Sequence, residues 1–70
     1  MRITVLNCST KEAKKFEDVD SAAAYIRSVS PDVTLNVYVM SDKKPVHGIF
    51  CVIKGGEEGR FREFVSTFRE

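Results

Sequence analysis

Few residues in this chain could do acid–base or nucleophilic chemistry, and their spacing does not gather them into a recognisable set. The single histidine, His47, follows Asp42 across a polar stretch, residues 41–45, that separates two apolar runs. An imidazole near a carboxylate could serve as a general base. A histidine at a strand end, pointing at solvent, accounts for the same pattern. Cys8 follows an apolar run and could be an exposed thiol, but no basic residue is placed beside it to activate it. Cys8 and Cys51 with one histidine fall short of a tetrahedral metal set and make no disulfide framework, so both read as reduced thiols, Cys51 as a small core hydrophobe. Residues 55–59 (GGEEG) are glycine-rich ahead of a helical pattern, where phosphate can bind. They lack the P-loop spacing and its lysine, and two glutamates stand where the anion would sit. The expectation is a non-enzymatic protein with no cofactor and no metal.

The elements that would position any site follow from periodicity. Residues 33–40 alternate Val33, Leu35, Val37 and Val39 with Thr34, Asn36 and Tyr38; after the turn, residues 47–53 run His-Gly-Ile-Phe-Cys-Val-Ile. This predicts a hairpin. Placing Val39 opposite His47 sets Val37 against Ile49, Leu35 against Cys51 and Val33 against Ile53 on one apolar face, with Tyr38 across from Gly48 on the other. Residues 2–7 read as a first strand with Ile3 and Val5 inward. Residues 7–12 read as a turn, and residues 13–17 as a short, lysine-bearing edge strand anchored by Phe16; an irregular loop is the alternative. Asp18 is expected to cap a helix in which Val19, Ala22, Ala23, Ile26 and Val29 share one face, ended by Ser30-Pro31. A last helix opening at Glu57 carries Phe61, Phe64, Val65 and Phe68 as one stripe, with Phe64 expected as a core anchor, Glu58 and Arg62 as an i,i+4 pair and Arg69 at the C-terminal end of the dipole.

The order strand, strand, helix, strand, strand, helix predicts an α+β two-layer sandwich, ββαββα, with a four-stranded, mainly antiparallel sheet and two helices. Two sheet orders fit, 2-1-3-4 and 2-1-4-3. The five apolar residues 49–53 suit a central strand and favour the second. Residues 1–70 form a single domain, too small to draw more than about 3–5 kcal/mol from its core. Eleven basic against ten acidic residues leave a net charge of +1, which gives no long-range attraction to nucleic acid or an anionic membrane. No stretch reaches the ~20 apolar residues of a membrane span, and the expected location is the cytoplasm.

With helices on the inner face, the outer face keeps Leu6, Tyr38, Met40, Phe50 and Val52. A patch of this kind is expected to bind another protein or a second copy of the chain. Single-stranded nucleic acid is the alternative, with bases stacked on Tyr38 and Phe50 and phosphates on Arg2, Lys54 and the Lys43-Lys44 pair. Against it, residues 48–53 lack the basic and aromatic pattern of an RNA-binding sheet. A further possibility is that the last helix crosses over and covers the outer face.

Overall fold

The computed structural model describes residues 1–68; Arg69, expected at the end of the last helix, lies outside them. Strands β1 (Arg2–Asn7), β2 (Glu12–Phe16), β3 (Thr34–Met40) and β4 (Gly48–Lys54) form one antiparallel sheet in the order β2-β1-β3-β4. Helices α1 (Val19–Ser28) and α2 (Glu58–Ser66) lie together on one side of it. The protein is therefore a two-layer α+β sandwich. The last helix does not cross to the outer face, since Phe61 and Val65 join Ile3, Val5, Leu35, Val37, Val39 and Ile53 in the same buried cluster as Ala22, Ala23 and Ile26 of α1.

The sheet order corrects the one favoured from residues 49–53. β3, with β1, is an interior strand and β4 is an edge: the inward residues Leu35, Val37 and Val39 of β3 are all completely buried, whereas the inward Ile49 and Cys51 of β4 are only half-buried. A continuous apolar run is what a strand buried on both faces shows, but here it belongs to an edge strand whose outer side chains stay in water.

The hairpin register is also corrected. Val39 faces Ile49, Val37 faces Cys51 and Leu35 faces Ile53, two residues away from the predicted pairing. Ser41 causes the shift. Its N–H donates to the His47 carbonyl at 2.8 Å, and its buried hydroxyl both accepts the His47 N–H and donates to the Lys43 carbonyl, each at 3.1 Å. The loop is thus closed between residues 41 and 47, one pair further out than expected. Because the side-chain period is two, an even slip leaves every residue on its predicted face.

The turn between β1 and β2 is built by Asn7, whose side-chain oxygen accepts the N–H groups of Ser9 and Thr10. β2 is a strand, not a loop, and begins at Glu12 rather than residue 13. Its Phe16 is half-buried and rests on Tyr25 of α1, ring centroids 5.7 Å apart. Asp18 caps α1 as expected, accepting the Ser21 N–H at 2.9 Å. Alanines 22 and 23 are wholly buried, so α1 sits close on the sheet, while Ala24 faces solvent.

After β4 the chain must turn sharply beneath the end of α1. The Gly55 N–H bonds to the Val33 carbonyl and the Gly56 N–H to the Ile26 carbonyl. A Cβ on Gly55 would lie 2.0 Å from the Ser30 carbonyl oxygen, and Gly56 has a φ of +80°, so two different constraints call for glycine here. Glu57 is the N-cap of α2 rather than its first residue, and its carboxylate accepts the Lys54 N–H at 2.7 Å. Glu58 and Arg62 do not pair along the helix. Instead Glu58 meets Arg27 at 3.6 Å and Arg62 meets Asp20 at 3.0 Å, so both charges bridge to α1. These pairs are exposed, and exposed pairs contribute little. Phe61 is fully buried, Val65 and Phe68 nearly so, and Phe64 only half-buried at the β4 edge.

That burial difference moves the anchor of α2 from Phe64 to Phe61. Phe61→Ala should remove about 3–5 kcal/mol, close to the whole stability of a domain this small, while Phe64→Ala should cost less than half as much. Urea denaturation of the two variants measures this, and equal losses would contradict the placement.

A second prediction concerns acid. The Ser21 backbone N–H on Asp18, the Ser30 hydroxyl on Asp32 and the Met1 ammonium on Asp42 each hold a carboxyl below its ordinary range. A carboxylate depressed by folding stabilises the native state above its unfolded value of about 4, and the contribution is lost as pH falls through the lowered folded value. The urea midpoint should therefore hold from neutral pH down to about pH 5 and drop below pH 4, and the drop should be smaller in Asp18→Asn. A midpoint that rises on acidification would be inconsistent with these contacts.

Candidate functional site

On the uncovered face of the sheet the even-numbered residues of β1, β3 and β4 and the odd-numbered residues of β2 point outward. Its rows can be read across the strands: Ala13, Leu6, Asn36 and Val52 form one, Lys15, Thr4, Tyr38 and Phe50 the next, Arg2, Met40 and Gly48 the third. All five residues expected on this face are on it. Phe50 and Val52 are more than half exposed, at 51% and 54%, and Tyr38 is 38% exposed; Leu6 and Met40 are half-buried between their neighbours.

Tyr38 faces Phe50 directly, not Gly48, and their ring centroids are 4.9 Å apart with planes inclined by 37°. The ladder explains the closeness. Bonds at Gly55 to Val33 and at Ser41 to His47 show that odd-numbered residues of β4 exchange hydrogen bonds with β3. Tyr38 and Phe50 thus occupy a non-hydrogen-bonded pair, where Cα atoms approach to about 4.5 Å and side chains meet. The two rings form an aromatic platform in which each restricts the other.

Two of the charges around the platform have partners. Arg2 Nε lies 3.1 Å from Asp42, whose carboxylate also takes the Met1 amino group. Lys54 Nζ bonds to the Thr34 hydroxyl at 3.0 Å. Beyond Met40 the face runs into an open groove between Arg2, Lys15, Glu17 and Asp18, where opposite charges are balanced. Val46, 55% exposed in the hairpin loop, is a further apolar surface residue that the sequence reading did not single out. Its only signal was an apolar side chain inside a polar turn.

The candidate chemical groups are spread over the structure. The exposed His47 ring stacks on Phe68, centroids 5.2 Å apart. Asp42 is kept charged by the Met1 ammonium first and by Arg2. Both cysteines are free and half-buried. Cys51 lies under β4 rather than deep in the core, and its burial pushes the thiol pKa up, opposed by nearby Arg60. At the glycine turn Glu57 is the N-cap residue of α2, but its carboxylate turns back to the Lys54 N–H and makes no bond to the first turn of the helix. Among the described residues no three His, Cys, Asp or Glu side chains are grouped to hold a metal ion, and no helix is long and apolar enough to cross a membrane. No family model, no curated protein and no solved structure matches this chain.

Proposed function

We propose that this chain is a small non-enzymatic protein-interaction module, a regulator, an inhibitor or a self-associating subunit, that works in the cytoplasm and engages another protein or a second copy of itself through Leu6, Tyr38, Met40, Phe50 and Val52. The observation that carries this reading is the Tyr38–Phe50 pair, held 4.9 Å apart on a sheet face that neither helix covers. Aromatic and methionine side chains are the types enriched at protein interfaces, and large exposed aromatics near the centre of a patch are the usual binding anchors. Two unbridged thiols fit a reducing compartment.

The alternative ligand is single-stranded nucleic acid stacked on the same rings. The near balance of charge, eleven basic against ten acidic residues, and the pairing of Arg2 with Asp42 favour protein, because phosphate binding draws on a surplus of cations. A salt titration of the bound complex separates the two: a steep loss of affinity with salt belongs to phosphate contacts, a shallow one to an apolar interface.

Phe50→Ser tests the reading. The variant should stay folded, losing less than about 1.5 kcal/mol because half of the ring is already in water, while association with partners captured from the native host, or with itself, weakens by about thirtyfold or more, the loss expected for an anchor worth about 2 kcal/mol. A Phe50→Ser protein with unchanged stability and unchanged association in every assay would remove the outer face from the account.

A further inference from the structure

The exposed edge of β4 is a surface distinct from the face. β4 is the terminal strand of the sheet, and its odd-numbered residues spend their backbone groups on β3. The N–H and C=O groups of Gly48, Phe50 and Val52 therefore point away from the sheet. Lys54 points the same way, and there the outward N–H is taken by Glu57 at 2.7 Å while its carbonyl accepts the Glu57 N–H. The free edge is thus three residues long, bounded at one end by that cap and at the other by the loop closed at Ser41 and His47. The opposite edge is different. β2 carries Glu12, Lys14 and Lys15, the charges that discourage strand pairing, whereas residues 48–53 carry no charge, no proline and no bulge.

We infer that two copies of this chain associate edge to edge through β4, antiparallel about a two-fold axis at Phe50, into one continuous eight-stranded sheet. The free edge fits itself. With Phe50 facing Phe50 of the second copy, Gly48 faces Val52 and Val52 faces Gly48, so all three outward residues of each chain form narrow pairs that exchange two backbone hydrogen bonds apiece. The residue without a side chain lies across from the branched one. Shifting the register by two in one direction would bring Gly48 against Lys54 and require breaking the Glu57 bond, and in the other would set Val52 against Val46, which lies outside the strand, so the two ends together select the centre. On the outer face the pairing sets the two Tyr38–Phe50 platforms end to end, four rings in a row. On the inner face Ile49 meets Cys51 of the second copy, apolar against apolar. The α2 flank that borders this edge presents Arg60 and Glu63, opposite charges one turn apart, which suits an isologous contact. No like charges face each other across residues 48–52.

Sedimentation of the whole chain over a concentration series tests the inference, with variants that read the register. The wild type should show a monomer–dimer equilibrium below about 1 mM. Val52→Pro removes one outward N–H without touching the β3–β4 ladder, and proline is tolerated on such edges; dimerisation should weaken at least tenfold while the fold is kept. Phe50→Lys and Phe50→Glu should each be monomeric, because like charges then meet on the axis, and an equimolar mixture of the two should recover a heterodimer. In a Cys8→Ser background, Ile49→Cys oxidised with glutathione disulfide should give a covalent dimer through Cys51 of the second copy. A wild type that stays monomeric throughout overturns the inference, as does a mixture that fails to recover. Self-association that survives Val52→Pro but is lost in Phe50→Ser would mean face-to-face stacking, overturning the edge pairing while leaving the outer-face reading intact. The edge pairing itself holds whether or not the face binds another protein.

Discussion

The inward row of β3, Leu35, Val37 and Val39, is the contact on which the rest of the molecule depends. These three side chains are completely buried, and burying them requires cover on one side of the sheet from both helices. α1 reaches the sheet through Ala22, Ala23 and Ile26, and small side chains bring its axis close. α2 must then fill the remaining half with larger groups, Phe61, Val65 and Phe68. Among the described residues no helix or strand lies on the other side of the sheet. The same packing that completes the core therefore leaves the other face of the sheet without an internal partner, and the Tyr38–Phe50 pair is what stands there.

The asymmetry of the two edges follows from the same constraint. β2 lies outside β1, is largely exposed and is written in charges apart from Ala13 and Phe16. β4 receives α2 beneath it, so its inward residues must be apolar, and its outer residues before Lys54 carry no charge either. An edge strand with this composition is one that natural proteins usually shield. Here the shielding stops at Lys54 and Glu57, and the uncapped segment has the length and symmetry of a self-pairing strand.

Much of this architecture was legible in the residues. Alternation located the strands, and Asp18 with the alanine-rich face that follows located α1 and its cap. Parity assigned Leu6, Tyr38, Met40, Phe50 and Val52 to one face, and survived an error in register because that error was even. What could not be read there depended on a single side chain or on a neighbour. Ser41 uses its hydroxyl to close the hairpin one pair further out, an option that no periodicity reveals, and the direct opposition of Tyr38 and Phe50 followed from it. The strand order was misjudged because residues 49–53 read identically whether a neighbouring strand or water lies beyond them. Phe64 and Phe61 look alike in the sequence because helical spacing gives a stripe but not which of its members overhangs the edge. The ion pairs of Glu58 and Arg62 went to α1 because that helix lies within reach of both.

One face of the sheet is sealed by the helices and the other is open to solvent. Relaxation of side-chain proton resonances by a soluble paramagnetic probe, recorded on dilute protein, measures this directly. Strong enhancement is expected at the rings of Tyr38 and Phe50 and the methyls of Val52, and almost none at Phe61, Val37 and Leu35. A Phe50 ring as shielded from the probe as Phe61 would contradict it.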